Sequence, residues 1–74
     1  MSNLPQVRPK DVVRALEKAG FKRERQTGSH VFLKHSDGRL TSVSIHPKSI
    51  PKGTLRAILR QTKIKPEELK ELLK

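Results

Sequence analysis

The hydrophobic positions near the start of the chain repeat with the period of a helix. An apolar stripe begins after Pro9, which suits a first helical position, and ends before Gly20. A glycine followed by an apolar residue, here Phe21, is typical of a left-handed helix terminus. The stripe consists of Val12, Val13, Leu16 and Ala19. The pattern predicts a helix that starts at Pro9 and stops at Gly20, after a loose N-terminal arm over residues 1–8.

Three segments that follow this helix have the pattern of strands. Phe21–Thr27 is polar and basic, which favours an edge strand because sheet edges tolerate charge. His30–His35 and Leu40–His46 alternate apolar with polar residues, and the Asp37-Gly38 pair between them is a strong turn signal. We therefore expect a three-stranded antiparallel sheet in which the second and third strands form a hairpin.

The register of this hairpin is predicted from burial, because a slip of one residue would send apolar side chains to the wrong face. Pairing Leu33 with Val43, and Val31 with Ile45, gathers four apolar residues on one face. We expect the helices to cover that face and to leave the other open. The residues then expected on the open face are His30, Phe32, Lys34, Ser42, Ser44 and His46.

Two further helices are predicted in the C-terminal third. One opens at Pro51-Lys52 and runs to about Gln61 with a single apolar stripe, and the other starts at Pro66 within a C-terminal helical segment, 63–74. The whole chain, 1–74, then forms one α+β domain in the order α-β-β-β-α(-α), with a three-stranded antiparallel sheet and helices on one face.

Composition adds a class of partner to this picture. The chain has 17 Lys and Arg against 7 Asp and Glu, a formal charge of +10. The electrostatic field of such a charge favours contact with phosphate backbones but encodes no preference for a nucleotide sequence. No apolar run approaches the roughly 20 residues that cross a bilayer, and there is no cysteine for a disulfide or thiolate site. We expect a cytoplasmic protein that binds nucleic acid and does not associate with membranes.

His30 is the candidate for chemistry on such a partner. It follows Gly28, which permits close backbone approach, and Ser29, which adds a hydroxyl. An imidazole exchanges a proton near neutral pH, and RNA supplies its own nucleophile in the 2′-hydroxyl. The acidic residues form no paired cluster of the kind a two-metal nuclease needs, so no metal or other cofactor is expected. A structural or simply exposed histidine is the alternative.

A second histidine, His46, lies opposite His30 in the expected register and is a candidate for an assisting role, as is the Ser29 hydroxyl. The alternative for His46 is structural, since it precedes Pro47 at the end of a strand and can cap backbone groups. His35 should face away from His30 and is expected to be incidental.

An aromatic and several cations are candidates for RNA binding beside Gly28. Phe32 on the open face can stack an unpaired base, although a different register would make it a core residue. A phosphate track beside the second helix is the other candidate, and an ordinary solvated surface is its alternative. The residues of this track are Lys34, Lys48, Lys52, Arg56 and Arg60.

Taken in order, these motifs resemble those of the HicA family of bacterial toxins, over about residues 9–65. The resemblance rests on the segment 16–21, on Gly28-Ser29-His30, on the Asp-Gly and His-Pro pairs, and on the segment 52–61. The chain departs from the family pattern at Ser44, where a proline is common, and at Thr62-Lys63, where an Ala-Gly pair is common.

The resemblance implies a fold like the double-stranded-RNA-binding domain and an mRNA interferase activity. By position it makes His30 the catalytic residue. It also implies a HicB-type antitoxin that binds the toxin and masks its active site, with operator DNA reached only indirectly through the antitoxin.

Together these inferences favour a metal-independent endoribonuclease toxin with His30 as general acid/base. A non-catalytic RNA-binding module is the first alternative, since the same charge and sheet suit binding alone. A structural adaptor for an acidic protein is the second, and it rests on the apolar stripe of the C-terminal helix.

Overall fold

The computed structural model describes residues 4–45 and 48–74. Along these residues one helix, three strands and two helices follow one another, in the order expected from the sequence. The elements are α1 (Pro9–Lys18), β1 (Phe21–Thr27), β2 (His30–His35), β3 (Leu40–Ser44), α2 (Lys52–Thr62) and α3 (Pro66–Leu72).

Helix α1 begins and ends where its sequence signals lie. Pro9 occupies the first turn, and Asp11 in the same turn complements the positive end of the helix. Gly20 follows with φ +103°, and Phe21 is buried directly after it. A side chain at Gly20 would place a Cβ 2.8 Å from Nε2 of His35, so it would force that ring to shift in addition to straining the backbone.

The N-terminal segment differs from the loose arm that the sequence suggests. Leu4 and Val7 are 8% and 7% exposed and belong to the core. The carbonyl of Val7 accepts a hydrogen bond of 2.8 Å from the backbone amide of Ile50, which is also buried. Residues 4–8 are therefore packed against the segment that leads into α2.

The sheet has the strand order β1-β2-β3, antiparallel throughout, with β1 at one edge as expected. Its second hairpin pairs Val31 with Val43 and Leu33 with Thr41. The expected pairing of Leu33 with Val43, and of Val31 with Ile45, is therefore wrong by two residues. Because side chains alternate with a period of two, this shift leaves every side chain on the face predicted for it.

The three helices cover one face of this sheet. Contacts join α1 to β1 and β3, α2 to β3, and α3 to α1. The side chains that fill the interface are almost completely buried: Val12, Val13, Leu16, Phe21, Val31, Leu33, Val43, Leu55, Ile58 and Leu69. This arrangement confirms the α+β class and the helices on one face.

The turn of the second hairpin is tied to the end of α2. Asp37 accepts hydrogen bonds from Arg39 Nε at 2.8 Å and from the Arg39 backbone amide at 3.1 Å. The bond from the guanidinium, followed by that from the amide, holds the pKa of the Asp37 carboxyl below its usual range. Arg39 also lies over the Phe21 ring and donates a hydrogen bond to the Thr62 carbonyl. His35, expected to be incidental, packs edge-on against Phe21 at 5.1 Å, so it has a structural role.

Helix α3 starts at Pro66, as the sequence predicts. Ile64 and Leu69 are buried at the spacing of a hydrophobic staple, which fixes the angle at which the chain enters the helix. Lys63 before them is left-handed, with φ 58°, at the position that closes α2. Glycine is the residue that adopts this conformation without strain, so a lysine occupies a position where a glycine would fit better.

Candidate nucleic-acid interface on the open face of the sheet

The Gly28-Ser29 pair forms the two-residue turn between β1 and β2. Gly28 has φ +58° whereas Ser29 does not have a positive φ, the combination found in a type II′ hairpin turn. Thr27 pairs with His30 across the turn, and Gln26 Nε2 donates a hydrogen bond of 3.1 Å to the Gly28 carbonyl. The glycine is therefore required by the turn that places His30 at the first position of β2.

The same turn is joined to the end of β3. The carbonyl of Ser29 accepts a hydrogen bond of 2.6 Å from the backbone amide of Ile45, and His30 pairs with Ser44. The central strand thus places His30 in a row with Thr27 on β1 and Ser44 on β3. His46, expected opposite His30, lies outside the described residues, and the observed register gives Ser44 that position instead.

The side chain of His30 faces away from the helices and is exposed. Within the described part of the chain, its imidazole makes no hydrogen bond and no ion pair. Both ring nitrogens are thereby available to a bound molecule from the open face.

A second row crosses the middle of the sheet and contains Arg25, Phe32 and Ser42. The Arg25 guanidinium lies 4.9 Å from the centre of the Phe32 ring, a cation–π contact. Phe32 is half-buried and faces outward, as the sequence predicts, so it is not a core residue.

Arg25 reaches this position because of an irregularity in β1. The pairing shifts between Arg23 and Arg25, so Arg23 is opposite Leu33 and Arg25 is opposite Phe32. Such a β-bulge reverses the facing of the residues beyond it. Arg23 accordingly lies on the helix side, where its Nε is 3.2 Å from Glu17 Oε2 of α1. Sequence reasoning missed Arg25, since a segment that is polar throughout carries no alternation from which a bulge can be read.

A third row, at the far end of the sheet, brings together Lys22, Lys34 and Leu40. Leu40 is 59% exposed, the one large apolar side chain so exposed among the described residues. We call the surface made by these three rows the open face: Thr27, His30, Ser44, Arg25, Phe32, Ser42, Lys22, Lys34 and Leu40. Its formal charges are all positive.

The remaining predicted cations lie on the helix layer or beside it. Helix α2 runs back along β3, since Thr54 lines a cavity with Ser44 whereas Gln61 Oε1 accepts a hydrogen bond of 2.7 Å from Thr41. Lys48 lines that same cavity of about 560 Å³, and Lys52 is the first residue of α2. Both therefore lie toward the His30 end of the sheet.

Arg56 and Arg60 lie elsewhere. They line a separate depression between α2 and the start of α3, together with Leu4, Lys63 and Ile64. Lys34 and these two arginines are on opposite sides of the sheet, so the structure does not gather the expected track into one surface.

Neither a metal site nor a membrane-spanning helix occurs in the described residues. No group of three or more His, Cys, Asp or Glu side chains with the arrangement of a metal site occurs in 4–45 and 48–74. Over the same residues, no helix has the length and apolarity needed to cross a bilayer.

The fold and this surface define a class of protein: a small α+β domain whose three-stranded sheet is covered by helices on one face and is open and basic on the other. A family model described as the HicA toxin of bacterial toxin–antitoxin matches residues 9–64, well over half of the chain. The chain therefore belongs to the HicA toxin family, and its fold agrees with the double-stranded-RNA-binding-domain-like arrangement that the resemblance implies. No curated protein sequence matches it. Membership of a toxin–antitoxin family indicates that its partner is an antitoxin.

Proposed function

We propose that this toxin is an endoribonuclease that cleaves mRNA with His30 as general acid/base. The observation that carries the proposal is the position of His30 at the end of the open face, exposed and without a side-chain partner in the described residues, beside rows that contain only positive formal charges. A phosphate backbone laid along β2 brings its charge to these cations and its sugar to the imidazole.

The chemistry needs only groups that the RNA and His30 supply. A neutral ring nitrogen takes the proton of a 2′-hydroxyl as that oxygen forms a bond to the adjacent phosphorus. The bond from phosphorus to the 5′-oxygen breaks, and the leaving oxygen takes up a proton from the imidazolium or from water. The products are a 2′,3′-cyclic phosphate and a 5′-hydroxyl, and nearby cations stabilise the charge that develops on the phosphate. The mechanism calls for no metal ion.

The role proposed for each supporting residue depends on where it lies relative to His30. Lys48 and Lys52, near the His30 end of the sheet, bind the phosphate that reacts or its neighbour, and Gly28 lets the strand approach the turn. The Ser29 hydroxyl and His46 are proposed as assisting groups. Phe32 and Lys34 bind the strand farther along β2.

We further propose that the partner is a HicB-type antitoxin, which neutralises the toxin by covering His30 and the open face. The same field that attracts RNA attracts acidic side chains of a protein, so an inhibitor that presents carboxylates to the open face competes directly with substrate. Contact with operator DNA is made through the antitoxin. The toxin acts in the cytoplasm, where mRNA is found.

The proposal is tested by incubating the purified toxin with RNA in the presence of a chelator and analysing the ends of the fragments. We expect 2′,3′-cyclic phosphates or their hydrolysis products, and for His30→Ala a loss of cleavage of about 10²–10⁴-fold with the fold retained. His35→Gln is the matched control, because that histidine faces the helix side and should keep activity whenever circular dichroism shows it folded.

Three outcomes are informative. Full cleavage by His30→Ala would refute the assignment of His30, and other end groups would refute the 2′-hydroxyl route. Binding of RNA without any cleavage would favour the non-catalytic RNA-binding module instead. Comparison of His46→Ala with wild type in the same assay decides whether His46 assists.

A further inference from the structure

We propose that Phe32 and Arg25 form a stacking site for one unpaired base, and that the RNA held on the open face is single-stranded. This inference rests on the proposed function and specifies its substrate. It assigns a binding role to Arg25, which no sequence motif marks, and it places the stacked base on the sheet and not on the helices.

The geometry of the middle row supports a stacking site. Phe32 is the one phenylalanine on the open face among the described residues, and its half-buried position keeps the ring in place while leaving part of it accessible. The planar Arg25 guanidinium lies 4.9 Å from the ring centre. Aromatic rings and arginine planes are the two kinds of surface on which proteins stack unpaired bases.

Space around the ring is adequate for a base. A shallow depression of about 640 Å³ is lined by Arg25, Phe32, Leu40 and Ser42 of the open face. Glu24, Leu33, Thr41 and Gln61 complete its lining, so one carboxylate is among the lining groups. Leu40 supplies an exposed apolar contact in the same depression, and we expect the Ser42 hydroxyl to hydrogen-bond with an edge of the base. These are the features of a site that accepts a flat, partly polar group.

The spacing along β2 links this site to the reaction. Phe32 follows His30 by two residues, a rise of about 6.6 Å on the same face of a strand. That separation is comparable with the distance between successive bases in an extended single strand. A nucleotide stacked on Phe32 therefore places a neighbouring ribose and phosphate at His30, and Lys34, two residues farther, meets a phosphate beyond the stacked base.

Duplex RNA does not fit this arrangement. Its bases are stacked and paired within the helix, so no base face is free to contact Phe32, and its recognition relies on shape and backbone contacts. The stacking site thus selects for single-stranded segments even though the fold resembles that of a double-stranded-RNA-binding domain.

Binding is measured in the His30→Ala background, so that the RNA stays intact, by fluorescence anisotropy with a short labelled oligoribonucleotide. Phe32→Leu removes the ring but keeps an apolar side chain, and we expect it to weaken binding by about 5–150-fold, the loss typical of one stacked base. Phe32→Tyr is the matched control and should bind within about twofold of the parent, since the stacking plane is kept. Arg25→Lys keeps the charge, loses the plane and should give an intermediate loss.

A second arm changes the RNA and not the protein. Oligonucleotides with one abasic position, moved along the strand, should bind more weakly when a particular position loses its base. This loss should disappear in the Phe32→Leu protein, because two changes that remove one interaction are not additive. A duplex of the same sequence should bind more weakly than the single strand. If Phe32→Leu fails to fold, Arg25→Lys takes its place in this comparison, and the loss at the sensitive position should be smaller in that protein than in the parent.

The outcomes separate this inference from the proposed function. If Phe32→Leu binds as tightly as Phe32→Tyr, if no abasic position matters, or if duplex binds as tightly as single strand, the stacking site is refuted while cleavage through His30 still stands. If no RNA binds at all, both are refuted. If RNA binds with the expected dependence but wild type never cleaves it, the stacking site stands and the catalytic proposal fails.

Discussion

At the scale of single residues, backbone geometry determines where His30 lies, since no side chain among the described residues binds its imidazole. The type II′ turn at Gly28 fixes where β2 begins, and the Ser29 carbonyl is bonded to Ile45 of the segment after β3. A catalytic histidine is usually oriented by a hydrogen bond to its second nitrogen. The His30 imidazole makes none to a described residue, so no side chain in 4–45 or 48–74 fixes the orientation of its ring.

Gly28→Ala tests the role of the turn. The position has φ +58°, and an added Cβ would meet no atom within 4 Å, so the cost comes from backbone conformation and not from a clash. We expect a loss of about 1–2 kcal/mol in the free energy of unfolding, measured by urea denaturation, and reduced RNA cleavage as His30 moves.

Gly53→Ala is the control for that change. Gly53 is in the first turn of α2, its φ lies outside the left-handed region, and it too has open space around it. Stability should stay the same or rise by up to about 1 kcal/mol, with cleavage retained. A Gly28→Ala protein that matched Gly53→Ala in both measurements would show that the turn does not depend on glycine.

At the scale of elements, the pattern of apolar and polar residues predicts which residues form strands more accurately than it predicts how those strands pair. The bounds of β1 and β2 and the start of α3 agree with the sequence, because turns, prolines and glycines mark them. The pairing of β2 with β3 is two residues from the expected one. Alternation fixes which face each residue occupies, but two registers that differ by two residues give the same faces. The observed register buries Thr41, whose hydroxyl is hydrogen-bonded to Gln61 of α2. No local sequence pattern predicts that hydrogen bond.

The same limit explains how much of the candidate site the sequence reveals. The sequence predicts His30, Phe32 and Lys34 on one open face, because residues that are two apart in a strand share a face whatever the register. Arg25 was missed because the bulge that turns it outward leaves no trace in a wholly polar strand. Arg56 and Arg60 share a helical face with Lys52 in sequence, yet the tertiary packing of α2 carries them to the other side of the sheet from His30.

The N-terminal segment provides a test at this scale. Leu4 and Val7 are too few to form a periodic pattern, but both are buried against the core. Leu4→Ala should lower the free energy of unfolding by about 2 kcal/mol, at the lower end for a buried leucine because the site is at the edge of the core. Gln6→Ala, an exposed neighbour, should change it by less than about 0.5 kcal/mol. Equal midpoints for the two variants in urea would show that the segment is not packed in solution.

At the scale of the whole molecule, a formal charge of +10 surrounds the protein with a field that attracts any polyanion. The structure divides the cations into distinct surfaces. The open face carries Lys22, Arg25 and Lys34, whereas Arg56, Arg60 and Lys63 line a depression with the apolar Leu4 on the helix layer. The proposed function requires RNA to follow the first surface, and net charge alone makes no such distinction.

Salt dependence distinguishes the two surfaces. Each cation that contacts a phosphate of single-stranded RNA contributes about 0.7 to the slope of the logarithm of the binding constant against the logarithm of salt concentration. In the His30→Ala background, Lys22→Ala with Lys34→Ala should therefore reduce that slope by about 1.4. Arg56→Ala with Arg60→Ala removes the same two charges from the helix layer and should leave the slope nearly unchanged. Equal reductions from both pairs would mean that RNA binds the basic surface without orientation, and a larger reduction from the arginine pair would place the strand on the helices.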